Sequence, residues 1–338
     1  MTARRLSRDE FHAKLAGMDR GDLVKVLWTL YWRGAAPVRE RIEGLLEPQH
    51  SPAREKARQE PPDAGATLAA VTEFAALARS GAYLGRDRRV SPKERTRWRM
   101  TFRSLATASQ QALLGDDVAT AARAVSTLVD LACETKDMDY FRSEDPMEAA
   151  RFVVSDMVGL MWARLRDTRG ARDMVQLAVT DLVRWEQPHG WTRVGSGWVA
   201  KRETTLAGVL AGLLTVPDLW ERAAHRYLEA LDRTATRAGG RQGRSRRDLA
   251  ADLAGWNTLL VERLTGPEHE DLLVRASTHA AFSGPELAFF QAQVARQRGD
   301  LPEARALVRK SLRSLPGHPL FRDFAKALDR PGTVAPPL

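Results

Sequence analysis

The chain has 338 residues, 43% hydrophobic and 28% charged, with 52 Lys and Arg against 43 Asp and Glu for a net charge of +9. That balance excludes a disordered or fibrous chain, and the length exceeds what one compact core usually fills, so two domains or an extended array are expected. The single cysteine, Cys133, excludes an internal disulfide and a multi-cysteine metal site.

Eight of the 52 basic residues are lysine, and Ile42 is the one isoleucine. Such an arginine-rich, lysine-poor bias is what a high-GC bacterial genome writes into most proteins, so arginine content by itself says nothing of nucleic acid. Position says more. Residues 81–110 carry a net +6 and residues 231–250 a net +4, which leaves −1 for everything else.

In chain order, MTARRLSRDEF has no apolar run behind its charges, so no secretory signal is expected. Ser7-Arg8-Asp9-Glu10 reads as a capping box that opens a helix. On the following helix, Trp28, Tyr31 and Trp32 stand at i, i+3, i+4, which predicts core packing. Residues 47–66 hold four prolines and no large apolar side chain and read as a flexible linker.

Ser91-Pro92-Lys93-Glu94 starts another helix, with proline at the first helical position. Its face of Arg95, Arg99 and Arg103 follows Arg88 and Arg89 in the preceding loop, while Trp98 and Phe102 fall on an adjacent, more buried face. Val118, Ala121, Ala122, Val125, Leu128, Val129 and Ala132 make one apolar stripe. The acidic run Glu134, Asp137, Asp139, Glu144, Asp145 reads as a helix end, a turn and the cap of the next helix; no glycine-bearing calcium-loop spacing is present. Asp156, within FVVSDMVGLMW, is expected to be partly buried and paired with an arginine.

Residues 187–200 offer the one plausible β-hairpin, near 191–199, with Gly195-Ser196-Gly197 as its turn. Trp185, Trp191 and Trp198 bracket this stretch; they are expected to anchor it, or alternatively to stack bases or hold a peptide. Thr204–Pro217, about 14 residues without charge, is too short to span a bilayer. The Gly/Arg-rich stretch 234–247, with Arg244 and Arg247, reads as a mobile loop. Ser283-Gly284-Pro285-Glu286 and Asp300-Leu301-Pro302-Glu303 open the last helices.

Chemistry is hard to find. The seven histidines are scattered, no His-Glu-x-x-His or Gly-x-Ser-x-Gly is present, and the 239–245 glycines lack both phosphate-loop spacing and a preceding strand. No catalytic residue, metal or cofactor is expected.

GPELAFFQAQVARQRGDLPEARALVRKSLRSLPGHP, residues 284–319, resembles a tetratricopeptide repeat. The likeness rests on Ala288 and Ala292 in a first helix, Gly299-Asp300 at a turn, Ala304 early in a second helix, then Lys310, Leu312 and a closing Pro316. The first-helix aromatic is displaced to Phe289 and Phe290, and Ala295 stands where a large residue is usual. The preceding stretch falls loosely on the same frame, with Gly266 opposite Gly299. The resemblance implies helix–turn–helix units stacked as an α-solenoid.

The expected chain is therefore all-α: a helical unit over 1–46, the linker 47–66, a helical body over 67–233, the loop 234–247 and tetratricopeptide-like repeats over 248–330. Its expected role is that of a cytoplasmic, non-enzymatic scaffold binding a partner protein or peptide, with no membrane association. A nucleic-acid partner held by Arg88, Arg89, Arg95, Arg99, Arg244 and Arg247 is the second expectation, with Trp191 and Trp198 as further partner-binding candidates. An enzyme assembled from dispersed groups such as Asp156 and His189 is the third.

Overall fold

The structure, a computed structural model, describes residues 8–35, 38–39, 42, 60–83, 92–135, 145–186, 197–238, 253–282 and 284–329. The chain separates into two compact units, residues 1–60 and 61–338.

The first unit contains α1 (Arg8–Ala16) and α2 (Arg20–Arg33). Asp19 caps α2, its carboxylate accepting from the Asp22 amide at 2.9 Å. That amide and the Gly21 amide hold the Asp19 carboxyl below the usual range. No residue of α2 is buried. Here the core expectation for Trp28, Tyr31 and Trp32 fails: Trp28 is 58% and Trp32 71% exposed. The spacing does gather the rings, with Trp28 stacked on Trp32 at 5.8 Å and against Tyr31 at 5.7 Å. Helical spacing fixes which side chains share a side. It does not supply a surface to cover them.

The second unit begins with α3 (Ala64–Arg79), α4 (Pro92–Ala112) and α5 (Val118–Thr135). Helix α3 starts inside the segment expected to be linker, because Asp63 accepts from the Ala66 amide and Ala64, Thr67, Val71, Phe74 and Ala78 form a buried face. Phe74, Trp98, Phe102 and Phe152 build an aromatic core with ring centroids 5.0–6.2 Å apart. The predicted apolar stripe of α5 is buried throughout.

Helix α6 (Pro146–Ala150) is capped by Asp145 and ends at Arg151 in the left-handed region, φ 53°. Then come α7 (Val154–Arg169), α8 (Ala171–Trp185), α9 (Leu206–Leu213) and α10 (Pro217–Ala238). Residues 234–238 are thus helical, a correction to the loop expected from 234. Alanines and a long run of i, i+3, i+4 apolar positions carry α10 through them. The chain closes with α11 (Ala254–Arg263), a 3₁₀ turn at Pro267–His269, α12 (Glu270–Ser277), α13 (Gly284–Gln297), α14 (Leu301–Ser314) and α15 (Pro319–Asp329).

No strand occurs among the described residues, so the fold is all-α as expected. Of the expected hairpin, residues 197–199 form a bend and turn, and 191–196 lie outside the described residues.

Packing follows the order of the chain. Helices α3, α4 and α5 pack together, α5 on α7, α7 on α8 and α9, α8 on α10, α10 on α11 and α12, those two on α13, then α13 on α14 and α14 on α15. The tetratricopeptide-like stretch is a tight helix pair. Gly299, at φ +83°, closes α13, Asp300 caps α14 through the Glu303 amide, and buried Ala288, Ala292, Ala295 and Ala304 let the helices approach closely. The preceding stretch differs: Gly266 sits at φ −74° and opens the 3₁₀ turn, and α11 and α12 lie against α10 and α13.

Candidate binding surfaces

A basic and aromatic ridge is built on the turn at residues 197–204. Two carboxylates fasten that turn to the body. Glu148 of α6 accepts from the amides of Val199 at 3.1 Å and Ala200 at 2.9 Å. Glu203 accepts from the Val154 and Ser155 amides at 3.0 and 2.6 Å, supplying partners that the first turn of α7 lacks within its own helix. Ser155 Oγ in turn accepts from the Thr204 amide at 3.1 Å. Burial pushes the Glu203 carboxyl up to about 7, even against those two amides.

So fastened, the turn projects Trp198, which is 47% exposed. The Arg202 guanidinium lies 4.9 Å and that of Arg151 6.0 Å from its ring centroid. Arg202 also meets Asp156 at 3.4 Å. Arg103 of α4 donates to the Ala150 and Ala149 carbonyls at 3.1 and 3.3 Å, which joins the arginine face of α4 to the end of α6 beside Arg151. Arg99 and Arg95 continue that face one and two turns away, with no ion-pair partner among the described residues. Lys201 adds an exposed charge on the turn.

Of the residues singled out from sequence, Arg95, Arg99 and Trp198 fall on this ridge. Arg88, Arg89, Trp191, Arg244 and Arg247 lie outside the described residues, as does His189. Arg151 and Arg202 escaped the sequence reading, because each stands in a locally mixed stretch outside both basic windows. No local sequence signal marks either one; what singles them out is their approach to Trp198, set by the packing of α6 against the 197–204 turn. Asp156 is paired as expected, but it is exposed.

A second surface is α2 itself, whose large apolar side chains Val24, Val26, Leu27, Trp28, Leu30 and Trp32 are all exposed.

The acidic groups are committed elsewhere. Glu134 holds Arg79 through two contacts at 2.7 and 2.8 Å, and Asp145 caps α6. Asp137, Asp139 and Glu144 lie outside the described residues. Within the core, Trp185 Nε1 donates to Asp130 at 2.9 Å and Trp162 Nε1 to Asp181 at 3.3 Å, with Arg184 against Asp130. Burial pushes Asp181 up to about 7; it also raises Asp130, against the pull of Arg184. No group of three His, Cys, Asp or Glu suited to a metal occurs among the described residues. None of their helices is long and apolar enough to cross a membrane.

Among the described residues, fold and surfaces define an all-α protein that presents a basic, aromatic ridge and the exposed apolar side chains of α2 to solvent. No family model matches the chain, and comparison with curated proteins and with solved structures finds no match.

Proposed function

We propose that the chain is an α-helical scaffold that binds a partner protein or peptide. The observation that carries this is α2, a helix of 14 residues with none buried and six large apolar side chains exposed along it. Large exposed apolar side chains gathered on one helix mark protein interaction sites, and tryptophan is among the residue types that anchor them. Two features support stacked helical repeats as the platform. Helices pack in chain order, and α13 and α14 carry the small residues and turn glycine of a tetratricopeptide-like unit.

The test is affinity purification from the source cells with the full chain and with a Trp28→Glu/Trp32→Glu variant. The expected result is a protein retained by the first and lost from the second, with circular dichroism unchanged. Truncating one anchoring tryptophan costs about 2 kcal/mol or more, roughly a 30-fold loss of affinity. The same set of proteins retained by both would overturn the proposal.

A further inference from the structure

We infer that the ridge from Arg95 through Arg151 to Trp198 and Arg202 is a binding site for single-stranded nucleic acid, independent of the partner surface on α2. The argument begins with reach. Arg95 and Arg99 stand one turn apart on one helix face, about 6 Å along the axis, and Arg103, held on the Ala149 and Ala150 carbonyls, ties that face to the end of α6 beside Arg151. The row is longer than one phosphate needs, and it suits a run of phosphates along an extended strand. Arg151 extends the row past the end of α6, and Arg202 and Lys201 extend it over the turn.

The cations are available. Arg95, Arg99, Arg151 and Lys201 have no carboxylate partner among the described residues. The one ion pair on the ridge among the described residues, Arg202 with Asp156 at 3.4 Å, is exposed on both sides. Such pairs contribute about 0–1 kcal/mol, so a phosphate competes with Asp156 readily.

Trp198 decides the class of ligand. A phosphopeptide is satisfied by cations alone, and an anionic lipid surface is met by several large apolar side chains beside the cations, of which the 197–204 turn exposes one, Trp198. An exposed indole flanked by guanidiniums at 4.9 and 6.0 Å adds a surface on which an unpaired base stacks. Arg151 is the looser of the two and can leave the ring for a phosphate as the base arrives. A duplex keeps its bases stacked inside and gains nothing from the ring. The ridge is also held in place, since Glu148 and Glu203 pin the turn that carries Trp198 at both ends.

The test is anisotropy of a labelled oligothymidylate of about 20 nucleotides with the full chain, at about 50 and about 200 mM salt. Binding should weaken with salt, with a log–log slope of about −0.7 per phosphate contacted. Trp198→Ala should weaken it about 5- to 150-fold at unchanged slope, while Trp198→Phe keeps most of the affinity. Arg151→Ala with Arg202→Ala should make the slope shallower by about 1.4. Arg309→Ala with Arg313→Ala, exposed on α14, should change neither.

Absence of binding at the lower salt overturns the inference. So does an equal loss from the α14 pair, which would mean diffuse attraction to a basic chain. Duplex bound as tightly as single strand overturns it too, and so does competition by a phosphopeptide or phosphatidylserine vesicles matching that of unlabelled oligonucleotide. Trp28→Glu/Trp32→Glu should leave oligonucleotide binding intact, which separates this outcome from that of the α2 surface.

Discussion

Asp181 places a carboxyl against the Trp162 indole with Asp130 and Arg184 nearby, and burial lifts it from 3.8 to about 7. A raised carboxyl is easier to protonate in the folded chain than in the unfolded one. Between about pH 4 and about pH 7 the folded state therefore binds more protons, and this group's contribution to stability falls as pH rises through that window. Glu203 acts in the same direction. Asp181→Asn keeps an oxygen for the Trp162 N–H and removes the poorly solvated charge. The variant should lose less stability than the parent between about pH 5 and about pH 8, as read by urea midpoints at the two values. An equal loss in both would refute that role for Asp181.

Gly197 makes a second prediction at this scale. A Cβ there would run into the Glu148 carboxylate, which holds the Val199 and Ala200 amides. Gly197→Ala should cost about 1.5–3 kcal/mol by displacing those bonds and should also weaken oligonucleotide binding. The sequence showed Gly197 as a turn glycine. It could not show the clash, because Glu148 stands 49 positions earlier.

Among elements, the α13–α15 group is the most legible and also the most separate. Phe289 of α13 packs on Phe321 at 4.4 Å and Phe324 at 5.3 Å, both from α15. The displaced aromatic noted in the tetratricopeptide-like pattern thus has a physical reason: the third helix supplies rings to meet it. These side chains form a second core with Ala292, Ala304 and Val308, joined by Ala254 of α11, while Phe290 and Val294 of α13 belong to the main core. Phe321→Ala should cost about 3–5 kcal/mol. Because α7 and α8 contribute nothing to this second core, amide exchange should rise in α13–α15 and stay unchanged in α7 and α8. Uniform acceleration would contradict the separation. Gly299→Ala, at φ +83°, should add about 1–2 kcal/mol of backbone strain there.

The starts of these helices were readable because caps are local: Asp300 and Glu303 are three residues apart, as are Asp145 and Glu148. The environment of α2 was not. Its spacing is the same whether the rings face a core or solvent, and only a neighbouring element can decide between them.

Across the whole molecule, the ridge joins residues 95–103, 151 and 198–202, three stretches brought together by α4 meeting α6 and α6 meeting the 197–204 turn. Counting charge in windows could find only the first. Packing in chain order also bears on cooperativity, since α3–α5 and α13–α15 communicate mainly through the helices between them. Thermal unfolding of the second unit should therefore depart from two-state behaviour, with the calorimetric enthalpy exceeding the van't Hoff enthalpy. Equality of the two would show a single cooperative block.

The distribution of tryptophans has a practical consequence. Among the described residues, Trp98, Trp162, Trp185, Trp220 and Trp256 are buried, whereas Trp28, Trp32 and Trp198 are exposed and occupy the two surfaces to which binding is assigned. A collisional quencher such as acrylamide will dim the exposed indoles first. A protein covering α2 shields two of them and an oligonucleotide on the ridge shields one, so the accessible fraction of intrinsic emission distinguishes the occupants without any label on the chain.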